Sequence, residues 1–254
     1  LLSDGLLSGG VVLIKACLNG GTTRAEHPLV PQTPDELAAD ASTAASAGAG
    51  AVHLHPRDTS GAETLDPDAV LAAVAAVRAA VPAIPVGVTT GLWAAGDDPA
   101  RRMALVSRWG GPSAPDFASV NLSEPGAAEL AELLVGLGVA VEAGISSGDD
   151  ADRLAASGFG GRVLRILIEP DERDPDAAVA SAARIEAALD RHGFTAPRLH
   201  HGDGVATWSV LRAAIEAGRD IRIGLEDTVV LADGRPASGN RELVQAAVLM
   251  TRQI

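Results

Sequence analysis

The sequence predicts an α/β fold, a closed (β/α)8 TIM barrel built as a single domain over residues 11–254. Three observations predict it. Short aliphatic runs alternate eight times with longer Ala-rich amphipathic stretches, and strands that alternate with helices pair in parallel. The length of 254 residues suits a closed barrel, which routinely takes about 250 residues in one domain. No Gly-, Ser- or Pro-rich linker divides the chain, and no segment has the monotony of a repeat. An open doubly wound sheet is the structural alternative.

The strands are expected, in order, at VVLIKA from 11, GAVHLH from 50, IPVGVT from 84, DFASVN from 116, GVAVEA from 138, RVLRIL from 162, PRLHHG from 197 and DIRIGL from 220. Each is followed by a helix, beginning near Thr33, Asp66, Asp97, Glu124, Asp149, Asp174, Gly204 and Gly239. Several starts carry cap chemistry: TPDE at 33–36 is Thr, then Pro at the first helical position, then acids. Residues 1–10, LLSDGLLSGG, are read as an N-terminal extension, either disordered or foreign to the domain.

Composition narrows the function. The hydrophobic fraction of 47% is mostly Ala, Val and Leu, with no Tyr, three Phe and three Trp, so the core is aliphatic. A net charge of −13 argues against nucleic-acid or anionic-membrane partners, which demand clustered Lys and Arg. The single cysteine, Cys17, excludes an intrachain disulfide and fits a reducing compartment, so a cytoplasmic location is expected. VVLIKACL is too short to span a bilayer, and no stretch has the order of a signal peptide.

In such a barrel the active site lies at the carboxyl ends of the strands. The polar residues expected there are Asn19, His53, His55, Thr89, Thr90, Ser119, Asn121, Glu142, Glu169, His200, His201, Glu226 and Asp227. Alternation along a strand sends His53 and His55 to one face and Val52 and Leu54 to the other. Two converging imidazoles suit Zn²⁺ or another divalent metal, and Glu226 is the expected third ligand. The alternative is a pair of buried histidines matched with nearby carboxylates. Arg57 and Asp58, just behind, form either a loop ion pair or an outer layer that orients the ligands.

RIGLED, 222–227, is the second constellation. Strand spacing puts Arg222 and Glu226 on one face, with Asp227 where the strand breaks. A metal and a guanidinium hold an acid ionised, and a metal acidifies carbon beside a bound carbonyl, which is a setting for proton abstraction. The alternative is an Arg–carboxylate network tying the last strand into the barrel. Thr89, Thr90 and Gly91 offer hydroxyls and a turn for a substrate carboxylate, as do Ser119 and Asn121. The parts played by Glu142, His200 and His201 stay open.

These residues resemble those of the β-keto acid cleavage enzymes. The likeness covers nearly the whole chain and is most specific from Asn19 to Asp58 and from Arg222 to Val244. It implies a zinc-bearing (β/α)8 barrel, usually a homotetramer. Such an enzyme condenses a β-keto acid with acetyl-CoA and releases acetoacetate and a new acyl-CoA by a retro-Claisen step. By the resemblance His53, His55 and Glu226 fall on the metal ligands, Asp227 on the general base and Arg222 on the arginine paired with it. Thr89 falls near a serine that holds the substrate carboxylate, and Ser119 near a threonine of the same pocket. The family's described member, which acts on 3-keto-5-aminohexanoate, uses a glutamate soon after the first strand to bind the amine. Here Gly20, Gly21 and Thr22 stand in that region and Glu26 lies further on, so a β-keto acid without a cationic amine is expected.

Two rivals remain. Metal-dependent hydrolases on this barrel also use His-x-His, though normally on the first strand with further histidines. A small-molecule-binding barrel without turnover would keep the metal and need no base at Asp227.

Overall fold

A computed structural model describes residues 12–254; the expectation for residues 1–10 lies outside them. Eight parallel strands close in sequence order into one barrel. They are β1 (Ile14–Cys17), β2 (Ala51–Leu54), β3 (Val86–Val88), β4 (Phe117–Asn121), β5 (Ala140–Ile145), β6 (Arg165–Ile168), β7 (Arg198–His200) and β8 (Asp220–Ile223). Outside run α1 (Pro34–Ala47), α2 (Pro67–Ala80), α3 (Pro99–Val106), α4 (Ala127–Gly136), α5 (Gly148–Ser157), α6 (Pro175–Arg191), α7 (Thr207–Glu216) and α8 (Asn240–Thr251). All eight expected pairs are present, and the open sheet is excluded because β1 pairs with β8.

The helix starts follow cap chemistry. Thr33 and Glu36 close a capping box on α1, Ser147 and Asp150 another on α5, and Asp66, Asp98 and Asp174 cap helices that begin with proline. The start expected near Asp97 is shifted because a 3-10 turn, Leu92–Ala95, comes first and Asp97 takes φ 59°.

Strand alternation sorts the barrel into two environments. Val52, Leu54, Val86, Val88, Val141, Ala143, Ile166, Ile168, Ile221 and Ile223 are buried in the hydrophobic core. The opposite set includes charged residues. Glu142, expected at a strand end, instead lies within β5 and is fully buried, 2.5 Å from Lys15 Nζ and 3.3 Å from Arg165 Nε. Lys15 and Arg165 also face the Phe117 ring at 5.6 and 5.7 Å. Glu142 thus belongs to the packed interior and not to the open end. Cys17 is a free, buried thiol, and burial pushes its pKa up, so it is an unreactive packing residue.

Candidate active site

The carboxyl ends of the strands enclose a cavity of about 520 Å³. Its wall includes His53, His55, Thr89, Ser119, Asn121, Glu169, His201, Arg222 and Glu226. Donor atoms of His53, His55 and Glu226 all lie within 4.8 Å of one another. His55 Nε2 is 3.5 Å from Glu226 Oε1, and His53 Nε2 is 4.0 Å from Glu226 Oε2.

Each member is positioned by backbone clamps. Asn19 Oδ1 accepts from the His55 N–H (2.9 Å), and its amide donates to the His55 carbonyl (2.8 Å), fixing the residue just past β2. Asn240 accepts from Leu225 N and donates to the Leu18 carbonyl, both at 2.7 Å, which sets the turn carrying Glu226. Gly20, at φ +49°, leaves the space that Glu226 occupies, since a Cβ there would collide with the glutamate side chain.

Strand alternation is not what brings Arg222 to Glu226. The strand ends at Ile223 and residues 224–227 turn. The turn folds both acids back onto the arginine: Nη2 is 2.8 Å from Glu226 Oε1, while Nε and Nη2 are 2.9 and 2.6 Å from Asp227 Oδ1. Asp227 lies behind the wall formed by Arg222 and His201, and His201 Nδ1 is 3.4 Å from its Oδ1.

Neither alternative for Arg57 and Asp58 is met: they form no ion pair with each other among the described residues and neither bonds a member of the triad. Arg57 donates to the carbonyls of Gly20, Thr22 and Gly61, and Asp58 caps the turn at Ser60 and Ala62. The carboxylate that orients a histidine is Glu63, which sequence reasoning missed: its Oε2 is 2.5 Å from His55 Nδ1 and accepts from Trp93 Nε1 at 2.8 Å. The antiparallel bridge between Arg57 and Glu63 carries it there, and nothing in the spacing announces that hairpin. Glu63 Oε1 also lies 3.5 Å from where a Gly21 Cβ would stand. Glu26 is bound to Thr23 instead, on the exposed surface.

Of the residues expected to hold substrate, Thr89, Ser119 and Asn121 line the cavity. Thr90 and Gly91 do not: Thr90 donates to the Ser119 carbonyl (2.5 Å), and Gly91 seats the Trp93 ring where a Cβ would collide. His200 and His201 separate. His200 faces α6 and bonds Glu186 (2.8 Å), whereas His201 faces the cavity and bonds Glu169 (3.0 Å).

Burial and charge set the protonation. Burial pushes His53 well below its usual pKa. Burial opposes charge on His55 too, but Glu226 and Glu63 lift it to about 9. Burial resists ionisation of Glu226, yet Arg222, His55 and His53 hold it well below the usual carboxylate range. Asp227 is raised, because burial outweighs the pull of Arg222 and His201. The donor set fits a divalent metal: two imidazoles and a carboxylate converge, and His53 Nδ1 and Glu226 Oε2 are buried with no hydrogen-bond partner.

The family model for beta-keto acid cleavage enzymes matches residues 11–153 and 176–254. Two curated relatives, each a 3-keto-5-aminohexanoate cleavage enzyme, are 25% identical. That of Fusobacterium nucleatum aligns over 96% of this chain and 92% of its own length, and that of Acetoanaerobium sticklandii over 95% and 92%. Solved structures of ObcA, apo and in a ternary complex with a C4-CoA adduct and oxalate, superpose with TM-score 0.70 at 19% identity. They cover 89% of this chain, which spans 62–64% of theirs, and show the same fold.

Proposed function

Because the chain belongs to the beta-keto acid cleavage enzyme family and so cuts a carbon–carbon bond, we propose that it condenses a β-keto acid with acetyl-CoA, giving acetoacetate and a new acyl-CoA. The observation that carries this reading is the joining of Arg222 to both acids of one turn, Glu226 beside the histidine pair and Asp227 beside it. A cation and a ligand triad then line one cavity, with the proposed base held directly behind the cation.

His53, His55 and Glu226 would hold Zn²⁺ or another divalent metal, which supplies Lewis-acid polarisation of the substrate's keto group. Glu63 holds the His55 ring, and Thr89 and Ser119 offer hydroxyls to the substrate carboxylate. Asp227 takes the α proton at Oδ2, the oxygen that Arg222 leaves without a partner. The enolate attacks the acetyl thioester carbonyl and CoA thiolate departs. Thiolate then adds to the original keto carbon, and the carbon–carbon bond breaks, leaving a new acyl-CoA. The acetoacetate carbanion takes the proton back from Asp227, so the base is regenerated. ObcA, of the same fold, is known with a C4-CoA adduct, which supports a CoA co-substrate here. We propose further that the enzyme acts in the cytoplasm as a homo-oligomer.

The test is acetoacetate release from zinc-loaded protein given a panel of β-keto acids with and without acetyl-CoA. Release that requires acetyl-CoA is expected. Cleavage proceeding equally without it would replace this reading with a hydrolase. Metal analysis should find about one ion per chain, lost in His53→Ala with the fold retained; an equal metal content in that variant would remove the histidine pair from the centre.

A further inference from the structure

On the cavity wall after β6, two acceptors border one spot over Gly144. Glu169 follows directly on the strand, and a Cβ at Gly144 would collide with its Oε1 and stand 2.9 Å from Asn121 Oδ1. The far end of each group is already committed. Glu169 Oε2 bonds His201 Nε2 at 3.0 Å, and Asn121 Nδ2 donates to Glu124 Oε1 at 3.0 Å, which fixes the amide with its oxygen towards Gly144. Among the described residues no donor bonds either remaining oxygen. Two bare acceptors are a poor pair, and a proton on Glu169 Oε1 makes them a good one.

We propose that Glu169, held by His201, is a second acid and base of the reaction: it protonates the CoA thiolate as it leaves the acetyl group and takes that proton back as the sulfur adds to the keto carbon. This rests on the reading above of acetyl-CoA as co-substrate. The proton count calls for a second group. When the thiolate leaves, Asp227 already carries the α proton and must keep it for the acetoacetate carbanion. Glu226 belongs to the ligand triad, and Asp171 and Asp203 are exposed at the rim. Glu169 gives its proton from Oε1 and becomes a carboxylate, leaving CoA as a neutral thiol. It then removes the S–H proton while the sulfur–carbon bond forms, so the acid is restored and no proton is gained or lost.

The charges that face Glu169 suit both roles. Burial raises its pKa against the pull of Arg222 and Lys15, Glu226 and Glu142 add to the rise, and the balance leaves it at about 7; Asp171 is near enough to feel its charge. A carboxyl so placed can exchange a proton with a thiol of ordinary pKa, about 8.5. Burial keeps His201 neutral, with its pKa pushed down to about 3, so it is a positioning residue that holds Oε2 and leaves Oε1 to the cavity. Glu169 falls in 154–175, the stretch that the family model leaves unmatched, so its role is not carried over from the family.

Steady-state rates of acetoacetate release from zinc-loaded protein, measured across acetyl-CoA concentration and pH, test the assignment. Glu169→Gln should lower kcat about 10²–10⁴-fold at neutral pH, with KM for acetyl-CoA little changed. The deficit should narrow by roughly tenfold per unit as pH rises towards about 8.5, where the thiol ionises unaided. Gly144→Ala, whose methyl displaces Glu169 Oε1 while every charge is kept, should reproduce the pattern should the first variant fold poorly. A deficit of one size at every pH, or one carried by KM alone, overturns the proposal, since either marks a packing role through His201. Wild-type turnover that both variants match overturns it too, and leaves the co-substrate reading standing. A wild type that releases no acetoacetate with acetyl-CoA overturns that reading and this assignment together.

Discussion

His200 and His201 are neighbours in the chain and belong to opposite worlds. On the outside of β7, His200 bonds Glu186, which also takes two bonds of 2.9 Å from Arg219 and pairs with Arg198; Arg198 in turn reaches Asp190 at 2.6 Å. Charge there is matched group for group. On the inside, His201 joins Glu169 and Asp227, but polar atoms of His53, His201, Glu226 and Asp227 remain buried without hydrogen-bond partners. A satisfied cluster locks helix to barrel. An unsatisfied one holds free energy of desolvation in reserve for a ligand.

Breaking the inner region should cost chemistry before stability. Asp227→Asn should lower acetoacetate formation by about 10²–10⁴-fold with metal content and unfolding temperature retained; unchanged turnover would move the base elsewhere, and no turnover in the wild type to lose would leave the barrel as a binding protein. The packed floor beneath the site should behave in the opposite way. Lys15→Met leaves Glu142 buried with only Arg165 beside it, and should destabilise by about 3–5 kcal/mol in denaturant unfolding, whereas a loss under about 1 kcal/mol would show that Arg165 compensates.

The outer cluster should sit lower on the same scale. Glu186→Ala should cost about 2 kcal/mol, below the range for a fully buried pair because Glu186 is partly exposed. Its pH dependence has a definite sign. Burial opposes ionisation of Glu186, but His200 and Arg198 pull its pKa down to about 2. A depressed carboxylate contributes stability that is complete above the ordinary value of 4.5 and disappears as pH falls towards 2. The stability gap between wild type and Glu186→Gln should therefore narrow across that window, and a constant gap would mean the cluster is not what titrates. The smallest change, Glu63→Gln, should weaken metal binding about 10–100-fold by loosening His55; unaltered affinity would reduce Glu63 to a partner of Trp93.

Much of the fold was legible because it depends on period and on caps. Eight aliphatic runs, and prolines behind Thr33, Asp66, Asp98 and Asp174, mark elements through interactions that span a few residues. The pairing of His53 with His55 was legible for the same reason. Glu63 was not, because a hairpin bridge to Arg57 places it. Asn19 was noticed only as a polar residue at a strand end, although it clamps both backbone groups of His55.

The sequence by itself therefore determined the barrel, the family and the stock of ligands and acids at its open end, since strand alternation and local capping need no knowledge of distant neighbours. Only the tertiary structure decided which groups meet. Closure of β1 on β8 and the turn after Ile223 bring Arg222, Glu226 and Asp227 to the histidines. The same closure sends Glu142 into the packed interior and sets Glu169 against Asn121 over Gly144. Those are contacts between segments far apart in the chain, and the interaction free energy that fixes them exists only once the sheet has closed.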